Sequence, residues 1–170
     1  MVRRALTGTP GTGKTSISKL LQEEVIHLSD YYKNSSKGKT DSGEWLIELD
    51  LLDKNIQNLK LNNSIFEGHT SHYLSNIEQI IILRCDPEEL KKRLEQRGYS
   101  EHKMRENLEA EALNIIYTEA LNCSNKDNIF QLDTTENSAE ESAEILNNFM
   151  NGNIKLEETF DYSERIMDWY

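Results

Sequence analysis

Eight consecutive residues constrain this chain more than any others. Gly8-Thr9-Pro10-Gly11-Thr12-Gly13-Lys14-Thr15 fits G-x-x-x-x-G-K-[ST], directly after a short apolar run and directly before a helical pattern. Glycines at those places let backbone N–H groups turn inward around phosphate oxygens, and a following helix adds its positive end. A chance match somewhere in a chain of this length has odds on the order of 1%. The chemistry assigns roles by residue type. Lys14 is a point charge for the β and γ phosphates, the Thr15 hydroxyl takes one position on Mg²⁺, and Ser16 contacts the α-phosphate. Gly11, Gly13, Lys14, Thr15 and Ser16 are therefore the expected binding set for ATP.

The rest of the chain alternates short apolar runs with longer helical stripes, the sign of a parallel sheet wrapped by helices. Five strands are expected, at Arg3 to Thr7, Val25 to Leu28, Ser64 to Glu67, Gln79 to Arg84 and Asn128 to Leu132. Ile80-Ile81-Ile82-Leu83 is the clearest, being apolar throughout as a strand buried on both faces should be, while Arg3 and Arg4 make the first the weakest. Ile17, Leu20 and Leu21 mark one helix, Leu49, Leu52, Ile56 and Leu59 a second, and Met104, Leu108, Ala112 and Ile115 a third. Asp86-Pro87-Glu88-Glu89 opens another with an N-cap and a first-turn proline, and Gly98 closes it. The expected fold is an α/β P-loop NTPase, a single domain with a five-stranded parallel sheet; 170 residues suffice for one core.

A P-loop enzyme needs a carboxylate at a neighbouring strand end for its magnesium, and Glu67 is the candidate. His69 follows two places on, with Gly68 letting backbone approach a ligand, and its near-neutral imidazole suits proton acceptance or orientation of an acceptor. Arg93 and Arg97 share a helix face, a spacing at which guanidinium forks can clamp a transferring phosphoryl group. Cys85 and Cys123 show neither disulfide nor metal spacing and read as half-buried thiols. The net charge of −11 excludes broad neutralisation of nucleic-acid phosphates and suits a basic protein partner. With no apolar run of membrane length, a soluble cytoplasmic protein is expected. No N-K-x-D guanine signature occurs.

Together, Thr7 to Thr15, Glu67-Gly68-His69, Leu83-Arg84-Cys85-Asp86 and Arg93-Leu94-Glu95-Gln96-Arg97-Gly98-Tyr99, followed by an acidic helix from Glu101 to Asn122, resemble the atypical adenylate kinases of archaea and their eukaryotic nuclear relative. The resemblance implies a monophosphate-binding arm at about Leu28 to Leu51 and a short lid near Gln96 to Glu106. It puts Arg97 on ATP and Asp30, Lys33, His69 and Arg93 on the acceptor side. The family's acid-x-histidine pair, usually aspartate, falls on Glu67 and His69; Lys33 stands where relatives can carry arginine and lacks the bidentate fork. A basic residue expected beside the adenine at Thr134 to Asn137 is missing.

The expected activity is phosphoryl transfer from ATP·Mg²⁺ to AMP, with intrinsic ATP hydrolysis. The resemblance also implies an alternative, an ATP-driven factor in small ribosomal subunit maturation that binds a basic ribosomal protein. A kinase of another small metabolite is a third reading, because a P-loop identifies the donor better than the acceptor. The apolar tail from Ile154 to Tyr170 should dock, either as a last helix on the sheet or on a partner.

Overall fold

The computed structural model describes residues 2–59, 61, 63–156 and 159–169. Among these described residues seven strands form, β1 Arg3–Gly8, β2 Glu24–His27, β3 Ser36–Lys39, β4 Trp45–Ile47, β5 Ser64–Glu67, β6 Gln79–Arg84 and β7 Ile129–Asp133. Six α-helices accompany them, α1 Lys14–Ser18, α2 Leu49–Gln57, α3 Pro87–Gln96, α4 Glu101–Ala112, α5 Ile115–Cys123 and α6 Ala139–Met150. Five strands pair in parallel in the order β2-β5-β1-β6-β7. The expected P-loop α/β architecture is therefore present, with β1 at the centre of the sheet.

Both faces of the sheet are covered. Leu6, Ile65, Ile81, Leu83 and Leu132 meet Ile17, Ala143 and Leu146 from α1 and α6 on one face. Ala5, Ile80, Ile82 and Ile129 meet Ala120 of α5 on the other. Alternate residues of β1 and β6 thus go to opposite sides, and both sides are apolar, which is why these strands read as unbroken apolar runs. The arginines of β1 are accommodated singly. Arg4 is buried and gives Nη1 to Glu23 Oε2 at 2.6 Å and Nε to Gln79 Oε1 at 2.7 Å, while the Arg3 guanidinium lies 4.6 Å from the centre of the Phe66 ring. Paired charge offsets the cost of burying Arg4, and the cation–π contact offsets part of it for Arg3.

Four expectations are corrected. The first helix ends at Ser18, leaving Leu20 43% exposed, because the chain must reach β2 at Glu24. Its single turn has little dipole to offer an anion. The helix expected over 101–122 breaks at Asn114, which sits at φ 55°, and divides into α4 and α5. Both cysteines are free, but one is fully buried and the other exposed. The tail is held in two places: Leu156 packs against the sheet core that holds Leu132 and Leu146, while the last turns lie on α3 and α4, where Trp169 joins Leu90, Leu94 and Leu108 and Arg165 Nη2 donates to Asp86 Oδ2 at 2.8 Å. Tyr170 lies outside the described residues.

The arm begins as a 3-10 helix, Leu28–Ser35, and continues as the antiparallel β3–β4 hairpin. Neither strand of the hairpin was expected. Among the described residues no helix is long and apolar enough to cross a membrane.

Candidate active site

The phosphate loop leaves the carboxyl end of the central strand, where ligands of open α/β sheets bind. Its peptide groups are fixed from several directions. Thr12 N and Thr12 Oγ1 both donate to Thr9 O, at 3.2 and 2.8 Å, and Thr134 Oγ1 donates to Thr12 O at 2.8 Å. Gly11, at φ 95°, packs so tightly on α3 that an added Cβ would lie 2.7 Å from Leu90 Cδ1. Lys14 Nζ donates to Gly8 O at 2.6 Å and to Thr9 O at 3.1 Å. Burial pulls the Lys14 ammonium down to about 8, against the opposing charges of Glu67 and Glu111.

Two cavities meet at this loop. One, of about 540 Å³, is lined by Lys14, Thr15, Glu67, His69 and Arg97, with Ser29 and Tyr32 from the arm and Lys103 from α4. The other, of about 260 Å³, lies between the loop, Ser16, Arg93, Thr134 and Asn137. Gly11, Gly13 and Arg97 line both. Arg97 stands at the junction because it is the C-cap of α3, the last residue before Gly98 turns the chain at φ 71°.

Parallel register explains the carboxylate. Glu67 ends β5 directly opposite His27 at the end of β2, and His27 Nδ1 lies 2.7 Å from Glu67 Oε2, an imidazole N–H donating to a buried carboxylate. His27 was not foreseen, although its place at a strand end beside the second acidic element was a usable signal. Gly68 is bare for a different reason than expected. A Cβ there would be 3.1 Å from Leu28 Cβ, so the missing side chain makes room for the start of the arm rather than for a ligand.

His69 faces the larger cavity with its ring edge-on to Tyr32, centroids 6.2 Å apart. Burial first, and then the Lys14 charge, hold its pKa below the usual value, so the imidazole is neutral at pH 7 and has one donor and one acceptor nitrogen. Its carbonyl accepts from Thr7 Oγ1 at 3.2 Å. Thr7 Oγ1 also lies 3.0 Å from His72 Nδ1, and His72 Nε2 lies 3.1 Å from Glu119 Oε2, so His72 anchors the loop from beneath.

Three acceptor-side expectations are not met by position. Asp30 and Lys33 are exposed and do not line the cleft, where Ser29 and Tyr32 of the same turn stand instead. Arg93 lines the smaller cavity instead: Nη2 donates to Thr134 O at 2.7 Å and Thr135 O at 3.1 Å. The basic group missing from the 134–137 loop thus arrives from α3. Across the larger cleft, Lys103 of α4 pairs with Glu44 of the hairpin.

Central-strand phosphate loop, parallel sheet and paired cavities define a nucleotide-binding P-loop kinase fold. The chain belongs to the family described as "AAA domain" (AAA_18), which matches residues 5–114, and groups with archaeal proteins named "Putative adenylate kinase". The relative from Methanosarcina acetivorans is 39% identical, with 96% of this chain and 95% of that protein covered; the one from Thermococcus gammatolerans is 39% identical over 94% and 92%. Among solved structures, shikimate kinase from Acinetobacter baumannii superposes with a TM-score of 0.60 at 13% identity, over 90% of this chain and 94% of that one. Deoxyadenosine kinase from M. mycoides gives 0.52 at 20% identity over 89% and 100%. These two share the fold.

Proposed function

We propose that the chain transfers the terminal phosphoryl group of ATP to AMP. The observation that supports this reading is the pair of cavities joined at Gly11, Gly13 and Arg97, one fit for a donor nucleotide and the other reaching the arm. The name carried by the archaeal relatives points the same way.

The donor groove has the planar Arg93 guanidinium on one wall, a surface on which a purine can stack. Lys14 and Arg97 bring positive charge to the junction, where charge gathers on the transferring group. Thr15 and Glu67, both lining the larger cleft, are the residues that would hold magnesium, which when bound would neutralise charge on bridging phosphate oxygens. Neutral His69 beside Tyr32 orients the acceptor by a hydrogen bond. The Glu44–Lys103 contact closes the mouth and limits water, whose entry gives ATP hydrolysis.

Purified chain incubated with ATP, Mg²⁺ and each nucleoside monophosphate in turn, with products resolved against an ATP-only control, tests the reading. ADP formed above the control with AMP is expected; turnover equal to the control with every monophosphate would sink it. The net charge of −11 favours a second reading, an ATP-driven assembly factor for the small ribosomal subunit that docks a basic ribosomal protein. Hydrolysis stimulated by such a protein, with no transfer to AMP, would favour that reading.

A further inference from the structure

Glu111 lies near the end of α4 and is only 3% exposed, a rare place for a glutamate unless it is paired. Both carboxylate oxygens have partners. Oε1 accepts from Arg84 Nε at 2.7 Å and from Cys85 N at 3.1 Å, and Oε2 accepts from Thr9 Oγ1 at 2.6 Å. Arg84 also gives Nη2 to Glu111 O at 3.1 Å and Nη1 to Gln131 Oε1 at 2.7 Å. The ion pair alone would be a core contact of the kind that apolar residues can replace.

The bond to Thr9 is another matter, because Thr9 belongs to the phosphate loop. Its carbonyl receives Lys14 Nζ, Thr12 N and Thr12 Oγ1, so the hydroxyl bond steadies the peptide on which the loop is wound. The helix that carries Glu111 has its other end at the cleft, where Lys103, Glu106 and Asn107 form part of the wall. Twelve residues at 1.5 Å each make a rod about 18 Å long. One end of this rod meets the cleft and the other meets the loop.

We infer that Glu111 is a positioning residue: its bond to Thr9 ties the helix at the mouth of the cleft to the phosphate loop, so that closure at one end sets the other. A charge-assisted bond of this length in a dry site is strong enough to carry such coupling. The inference rests on the loop being an ATP site and needs no particular acceptor. Replacing Glu111 would strand the buried Arg84 charge, so the test removes the other partner.

Hydrogen exchange of residues 101–112 is measured with and without a non-hydrolysable ATP analogue, beside analogue affinity and ATP turnover, in the wild-type chain and in Thr9→Val and Thr9→Ser. In wild type the analogue slows exchange across α4 by roughly tenfold or more. In Thr9→Val it binds within about threefold of wild type, but the slowing is lost and kcat falls about tenfold. Thr9→Ser returns the hydroxyl and recovers both. Thr9→Ala replaces Thr9→Val if the latter does not fold. Undiminished slowing in the variant without the hydroxyl, no slowing in wild type, or failure of Thr9→Ser to recover it each overturns the coupling. Failure of the analogue to bind wild type overturns the ATP-site reading itself, which separates the two.

Discussion

The two sides of the cleft are built by opposite means. On the donor side, Thr9 and Thr12 are buried, Gly11 sits against Leu90 and Leu94, and side chains from α3, α4 and the loop after β7 hold the phosphate loop. On the acceptor side, the β3–β4 hairpin pairs only Ser36 with Ile47 and Lys39 with Trp45, around a register irregularity. Gly38 and Gly43 have open space around them; Ile47 is the one hairpin residue packed on a core cluster, and Glu44 reaches Lys103 across the cleft. Two short strands are marginal in water, whereas a buried network opens only with the core. The loop side is thus preformed and the hairpin side is the less stable of the two; under the proposed reading this suits a site that must admit and release a small acceptor on every cycle.

The sharpest break falls at Lys14. Lys14→Met should reduce turnover by a factor of about a thousand, since a charge acting on the transition state is gone. It should also stabilise the fold. Lys14 releases its proton near 8 when folded and near 10.5 when unfolded, so below pH 8 the native chain bears a buried ammonium that the unfolded chain solvates. Wild-type stability therefore rises as pH increases from about 8 to 10.5, and the Met variant, lacking that dependence, is more stable by about 2–4 kcal/mol at pH 7. Urea unfolding of both proteins at pH 7 and pH 10 measures the difference; identical curves would remove burial of charge as the cause.

Next in size is a pair of glycine replacements. Gly11→Ala places a methyl group 2.7 Å from Leu90 Cδ1 at φ 95°, and should destabilise by about 2–3 kcal/mol with loss of activity. Gly43→Ala meets no neighbour at φ 85°, and should lower global stability by less than about 1 kcal/mol, because the hairpin can open locally. Thermal unfolding separates them, and equal losses would mean that arm and loop unfold as one unit.

The smallest effect belongs to the bridge between the two sides. Lys103→Ala removes an exposed pair worth about 0.5 kcal/mol, so the apparent KM for the acceptor should rise only two- to threefold, and less in high salt. A tenfold rise would make Lys103 a substrate contact.

Local sequence carried much of this structure because buried parallel strands and a phosphate loop have short-range signatures. The strand at Gln79–Arg84 and the N-cap of α3 at Asp86 came out as read. Ser36–Lys39 escaped because it contains no apolar residue to alternate. The break at Asn114 escaped because the apolar spacing runs on from Ala112 to Ile115 across it. At the site, Lys14, Thr15, Glu67, His69 and Arg97 line one cleft, while Asp30, Lys33 and Arg93 were assigned by position along an arm and a helix face without knowing which way each turn points. Glu111 looked like one more acid on an acidic helix; its place three residues after Leu108, on the apolar stripe, was the available sign that it is buried.

The order of the sheet has a kinetic meaning. The strand that ends in the phosphate loop is built from residues 3–8, yet its partners are residues 64–67 and 79–83. Neither pairing can form until a long stretch of chain has been gathered, a closure whose entropy is lost before any contact returns it. Helices and the arm hairpin need only their neighbours in sequence and can form within microseconds. The phosphate loop is consequently among the last elements to gain a fixed frame as the chain folds, and until then β1 exposes two unpaired edges to any other strand it meets.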